Sequence, residues 1–186
     1  MHIITFKNQK ILVISDTHGK HRKLKLPQKI NIIIHCGDIC TDGNSEEISD
    51  FFKWYSDLEI PYKIFINGNH DLPFELEPEK AGKLIPTNVI WLNDKFISIK
   101  GITIKGVSPF FYFQNIEENE NFDILISHYP PLGILDNGIG SSELRNYVLR
   151  TKPKYCVFGH NHNGNGKMEL NNINFLNASV FNEINN

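Results

Sequence analysis

The chain has 186 residues, 40% of them hydrophobic and 22% charged, with 19 basic and 21 acidic residues that leave a formal charge of −2. That balance, with Lys and Arg scattered, announces no basic face for nucleic acid, and no apolar run reaches the roughly 18 residues that a membrane span needs. Three cysteines, Cys36, Cys40 and Cys156, are too few and too odd in number for a disulfide framework, and buried free thiols are expected in place of a zinc site.

From the N-terminus, "MHIITFKNQKILVIS" runs straight into a strand-like pattern, without the basic, apolar and small-residue parts of a secretion leader. One cytoplasmic domain over 1–186 is therefore expected. The first apolar run, "ILVISDTH", ends in Asp16 and His18. "KHRKLK" (Lys20 to Lys25) reads as a solvated loop or helix face and a minor candidate for gripping an anion. "INIIIHCGD" ends in Asp38, with His35 as a strand residue packing near the strand end.

After "TDGN", the stretch "SEEISDFFKWYSDL" places Ile48, Phe51, Phe52 and Tyr55 at helical spacing, and Asn44 with Glu47 has the form of a capping box. "YKIFINGNHD" is the next apolar run and ends in Asn69, His70 and Asp71. "FISIKGITIKGV" alternates with period two around Lys100-Gly101 and predicts a hairpin. The aromatic stretch "PFFYF" (Pro109 to Phe113) reads as core or packed loop, with base stacking the less favoured reading. "FDILISHYPP" ends in His128. "SSELRNYVLRTKP" predicts a helix with Leu144, Tyr147 and Val148 facing inward and Pro153 closing it. "YCVFGHNH" ends in His160 and His162, and "GHNHNGNGK" then turns into a second hairpin, "KMELNNINFLN", at Asn171-Asn172.

Five apolar runs that end abruptly in Asp, His or Asn read as strands buried on both faces, and with the helices and hairpins they predict a mixed, layered α/β fold. Loops at the carboxyl ends of neighbouring strands converge on one rim. Asp16, His18, Asp38, Asn69, His70, His128, His160 and His162 would meet there. Such a crowd of carboxylates and imidazoles is costly to bury with nothing to coordinate. Oxygen and nitrogen donors without sulfur suit manganese, iron, zinc, cobalt, nickel or magnesium, and this many donors suits two ions better than one.

The succession "DTH", "GD", "GNHD", a lone His after a strand, and "GHNH", in order from residue 11 to about 163, resembles the signature of the calcineurin-like metallophosphoesterases. The resemblance implies a four-layer αββα sandwich of two mixed β-sheets flanked by helices. It implies two divalent ions, manganese foremost, with Asp16, His18 and His162 on one, Asn69, His128 and His160 on the other, and Asp38 bridging. A hydroxide shared by the ions would attack phosphorus, Asn69 would also touch a phosphate oxygen, and His70 would protonate the leaving oxygen with Asp71 orienting its ring.

"ISDTHGKH", "HCGD", "INGNHDLPF", "SHYPPLGILD" and "LNAS" are similar to the MPPED-type branch, which implies hydrolysis of small phosphodiesters such as cyclic nucleotides. Tyr129 stands where that branch commonly has Gly and becomes a candidate substrate contact. His21 is another, weighed against an exposed loop position. Gly43 in "GDICTDG" replaces the Arg that protein phosphatases carry, which counts against a phosphoprotein substrate. The expected partner is a small phosphate ester, with no membrane and no nucleic acid. The rival readings are a non-catalytic scaffold of the same fold, a phosphomonoesterase and a nuclease.

Overall fold

The computed structural model describes residues 1–109 and 120–185. The chain opens with a hairpin of β1 (His2–Phe6) and β2 (Gln9–Ile14), turned at Lys7-Asn8, where both residues adopt positive φ. β3 (Ile32–His35), β4 (Tyr62–Phe65) and β5 (Val89–Trp91) then add in parallel, so the first sheet runs β1-β2-β3-β4-β5. The second sheet has the order β10-β11-β9-β8-β7-β6. Its strands are β6 (Phe96–Ile99), β7 (Ile102–Gly106), β8 (Ile124–Ile126), β9 (Tyr155–Phe158), β10 (Gly166–Leu170) and β11 (Ile173–Asn177).

Both expected hairpins form. Ile99 pairs with Ile102 across Lys100-Gly101, and Leu170 with Ile173 across Asn171-Asn172. All four turn residues have positive φ, the conformation whose twist matches that of paired strands.

Side-chain alternation sorts the apolar residues into three layers. Ile11, Val13, Ile32, Ile34 and Ile64 of the first sheet meet Ile102, Ile104, Ile124, Ile126 and Val157 of the second in the central layer. Leu12, Ile14, Ile33 and Phe65 face the other way, against α1 (Ser45–Asp57), α2 (Leu72–Leu76), α3 (Pro78–Gly82) and α5 (Phe181–Asn185). Leu125, Cys156, Phe158 and Phe175 face α4 (Ser142–Thr151). Helix, sheet, sheet, helix is the αββα sandwich. Among the described residues no helix is long and apolar enough to cross a membrane, and all three cysteines are free and buried.

The two long helices bury the expected side chains: Ile48, Phe51, Phe52 and Tyr55 on α1, and Leu144, Tyr147 and Val148 on α4. Ser141 caps α4, and Lys152 in the left-handed conformation ends it before Pro153. Asn44 caps α1 by accepting from the N–H groups of Glu46 and Glu47. The other half of the capping box does not form. The Glu47 carboxylate accepts from Thr41 N–H at 2.5 Å, and Asn44 N–H goes to the Thr41 carbonyl. Residues 41–44 are thereby tied down as a loop beside the rim of the first sheet. Of "PFFYF", Phe110 to Phe113 lie outside the described residues.

Candidate metal centre

Every candidate ligand follows the carboxyl end of a parallel strand: Asp16 and His18 after β2, Asp38 after β3, Asn69 after β4, His128 after β8, His160 and His162 after β9. Leaving the strand abruptly requires unusual backbone. Asp16, His18, Asp38 and His160 all have positive φ, between 41° and 63°, a conformation that costs a non-glycine residue about 1–3 kcal/mol and persists only where surrounding structure imposes it. Close approach of the turns explains the glycine ahead of two motifs. A Cβ on Gly68 would overlap the Asp38 carboxylate, and one on Gly159 would overlap Ser15 and the Asp16 carboxylate.

Two donor groups able to hold a metal ion result, Asp16 with His18 and His162, and Asp38 with His128 and His160; within each, the donor atoms lie within 4.8 Å of one another. Asp38 connects them. Its Oδ2 is 3.3 Å from His128 Nε2 and 3.7 Å from His18 Nε2. Asn69 Oδ1 joins the second group at 2.9 Å from His128 Nε2. In the first group, His18 Nε2 and His162 Nε2 face each other at 3.3 Å, and His162 Nε2 is 3.6 Å from Asp16 Oδ1. Facing lone pairs repel unless a proton or cation is shared between them. The donor set therefore fits a pair of divalent ions: oxygen and imidazole donors, two pockets, and one carboxylate common to both.

The rings are aimed from behind. His128 Nδ1 donates to the Cys36 carbonyl at 2.8 Å, which directs Nε2 into the site. His35 is buried beneath; its Nδ1 accepts from Gly37 N–H, so Nε2 donates to Thr17 Oγ1, and burial depresses its pKa to about 3. Phe181 lies flat on His162, with centroids 3.9 Å apart and 14° between planes, and edge-on to His18. Burial lowers the pKa of His18, and burial with the neighbouring His128 lowers that of His160 to about 4, so both rings offer free lone pairs at neutral pH. Burial alone would lower His128 too, but Asp38 raises it to about 9. Burial opposes ionisation of Asp38, yet His128 and the His70 N–H hold its carboxyl well below the usual range. A divalent ion would answer that negative charge in the proton's place.

The "NHD" turn divides its three side chains differently from the sequence-based expectation. Asp71 does not orient His70. Its carboxylate is fully buried and accepts the backbone N–H groups of Asp38, Ile39, Cys40 and Gly68 at 2.8–3.2 Å, stapling the loop after β3 to the loop after β4. Burial and the Asp38 charge push its pKa up to about 7, against the N–H donors that favour the anion. The carboxylate on His70 is that of Asp42, with Oδ1 2.7 Å from Nδ1. Asp42 sits four residues after Asp38 in the same "GDICTDG" loop, and only its tertiary contact with His70 marks it out. His70 remains partly exposed, its ring 5.1 Å from that of His18.

The two secondary candidates separate. Tyr129 is half-buried and meets His160 edge-on at 4.5 Å, which puts its ring on the border of the second donor group. His21 is neither an exposed loop residue nor on the open rim. It is fully buried between Phe51 and Trp54, with Nε2 donating to Asp50, because the short 3-10 turn His21–Lys23 folds it onto α1. "GHNHNGNGK" forms a turn closed by Gly164 N–H on the Asn161 carbonyl, ahead of β10.

A family model described as calcineurin-like phosphoesterase matches residues 9–164. The chain is 33% identical to metallophosphoesterase domain-containing protein 1 of Homo sapiens over 92% of its own length and 66% of that protein's. It is 31% identical to a UPF0046 protein of Caenorhabditis elegans, over 94% of itself and 70% of the relative. The chain thus spans about two thirds of the length of these relatives. In fold alone, it is similar to the crystal structure of the protein TT1561 of Thermus thermophilus, with a TM-score of 0.68 at 14% identity, covering 93% of this chain and 90% of that one. A further crystal structure superposes with a TM-score of 0.76 at 17% identity, covering 94% and 92%.

Proposed function

The chain belongs to the calcineurin-like phosphoesterase family, and on that footing we propose that it is a cytoplasmic, binuclear metal-dependent phosphodiesterase acting on small phosphodiesters such as cyclic nucleotides. The observation that carries the proposal is the position of Asp38 Oδ2 between the two donor groups, within 3.7 Å of an imidazole in each. Two divalent ions bound there supply Lewis acidity, a water of lowered pKa and a clamp on the phosphoryl oxygens. Asp16, His18, His162 and Asp38 would hold one, and Asp38, Asn69, His128 and His160 the other, with manganese our first choice of metal.

His70 handles the proton. Its Nδ1–H donates to the Asp42 carboxylate, which fixes the ring and leaves Nε2 to protonate the departing alkoxide. Asn69 is placed to donate its amide N–H to a phosphoryl oxygen while its Oδ1 faces His128. Support for a diester comes from charge. Among the described residues no Lys or Arg is hydrogen-bonded to or ion-paired with any of these ligands, and Gly43 offers no guanidinium, so a singly charged phosphodiester needs less neutralisation here than a dianionic monoester does.

The test is turnover of bis-p-nitrophenyl phosphate, p-nitrophenyl phosphate and 2′,3′- and 3′,5′-cyclic nucleotides by metal-stripped protein reconstituted with manganese, nickel, zinc or magnesium. Metal-dependent turnover favouring diesters is expected. Asp38→Asn should bind fewer than two ions and lose turnover; full metal content with undiminished rate in that variant would overturn the assignment. Metal bound without turnover of any ester would favour a non-catalytic scaffold.

A further inference from the structure

The second sheet ends at β10, which reads Gly166, Lys167, Met168, Glu169, Leu170. Register shows which of its backbone groups are unused. Leu170 and Ile173 flank the two-residue turn and exchange both hydrogen bonds, and the pairs Met168 with Phe175 and Gly166 with Asn177 follow at every second residue. β11 agrees, since Asn174 and Ala178 send their N–H groups the other way, to the Lys154 and Phe158 carbonyls. The N–H and C=O groups of Lys167 and Glu169 therefore point out of the sheet edge. Both side chains are exposed and make no hydrogen bond or ion pair among the described residues, and Met168 between them is 41% exposed.

A lysine on an edge strand ordinarily guards it, because the charge repels a second strand. Here a glutamate occupies the next outward position. It cancels the repulsion for one partner, a second β10 running antiparallel about a two-fold axis at Met168. In that alignment Lys167 of each copy lies opposite Glu169 of the other. Both pairs are of the hydrogen-bonded kind, so every outward N–H and C=O finds a partner, and the two Met168 residues meet at the closer position between them. An axis centred on Lys167 or on Glu169 would set like charges face to face. The other edge strands, β1, β5 and β6, carry no Lys, Arg, Asp or Glu and offer no such match.

We propose that the β10 edge is an interface for a second copy of this chain, joined through antiparallel pairing of the two β10 strands into one continuous sheet. The association is weak and concentration-dependent, since five residues a side fall well short of the roughly 20–30 of a standard interface. The two-fold axis reverses the strands of the second copy, so the two rims of donor groups open at opposite ends of the joined sheet.

Sedimentation equilibrium of the purified full chain, from micromolar to millimolar concentration, tests the pairing. The unaltered protein should pass from the monomer towards the dimer mass as concentration rises. Lys167→Glu sets carboxylates against each other in both pairs and should weaken association roughly tenfold or more, and Glu169→Lys should do the same with ammonium groups. Neither should lower the thermal midpoint, because neither side chain has a partner within the chain. Mixed one to one, the two variants should associate again, since every carboxylate then faces an ammonium. The double exchange, Lys167→Glu with Glu169→Lys, should restore self-association. A protein that stays monomeric at every concentration would overturn the proposal and leave the edge to its guarding charges or to a strand from another protein. Association indifferent to charge reversal, or variants that fail to associate when mixed, would overturn it too and put the contact elsewhere on the surface.

Discussion

In the proposed function, three neighbouring residues, Asn69, His70 and Asp71, and one distant residue, Asp42, would separate coordination, proton transfer and architecture at the scale of single side chains. Asp71 has five donors on its carboxylate, four backbone N–H groups and the Cys40 thiol, whereas Asp42 touches His70 and is largely exposed. The same Asp→Asn change should therefore have opposite signatures at the two positions. Asp71→Asn loses one acceptor oxygen in a buried site, at about 1.5–3 kcal/mol per charged hydrogen bond, and the loop carrying Asp38 moves with it, so the thermal midpoint and metal content should both fall. Asp42→Asn should leave both in place and lower kcat by roughly ten- to a hundredfold, less than the roughly 10²–10⁴ expected for His70→Ala. Metal analysis beside kcat for the three variants decides: equal metal loss in His70→Ala or Asp42→Asn would refute their roles. This is also where sequence reading stops. Adjacency of His70 and Asp71 suggests a pair, but consecutive side chains leave a turn in different directions, and the partner that does reach the ring arrives through a tertiary contact from the loop after β3.

At the scale of elements, local chemistry was readable wherever one element satisfies itself. The hairpins at Lys100-Gly101 and Asn171-Asn172, the buried stripes of α1 and α4 and the Asn44 cap follow from period and turn residues alone. The short helices α2 and α3 and the strand β5 carry too few residues to show a period, and β1 is recognisable as a separate strand only through its pairing with β2. Glu47 falls between these cases: its spacing from Asn44 is that of a capping box, but its carboxylate reaches Thr41 and so braces the loop that presents Asp42. Asn44→Ala should lower stability by about 1 kcal/mol, as loss of a helix cap does, with kcat unchanged. Glu47→Ala should lower kcat more than stability, with metal retained, because Asp42 loses its support. Chemical denaturation together with steady-state kinetics distinguishes the two. A Glu47 variant with undiminished kcat would show that the Asp42 loop holds its place unaided.

At the scale of the whole molecule, both sheets contribute to the site. Asp16, His18, Asp38 and Asn69 follow strands of the first sheet, and His128, His160 and His162 follow strands of the second; each donor group draws on both. The central layer of Ile, Val and Leu side chains holds the sheets at the separation that lets these donors meet. Ions bound between them would act as cross-links in return, since a ligand set assembled only in the folded state couples binding to folding. One site at a free metal concentration a hundred times its Kd adds about 2.7 kcal/mol. Stripping the metals should therefore lower the unfolding midpoint, and readdition should restore it in proportion to the logarithm of metal concentration. Asp38→Asn, which removes the shared carboxylate, should abolish most of that increment and also lower the metal-free midpoint, because it takes away the anion that His128 and the His70 N–H hold in the buried site. Ile34→Ala, in the central layer, should lower the midpoint with and without metal, by about 2–5 kcal/mol, and weaken metal affinity as well by loosening the spacing between sheets. If the metal increment survives in Asp38→Asn or is unchanged in Ile34→Ala, the ions are held by one sheet alone and the sandwich does not position the site in the way the donor geometry requires.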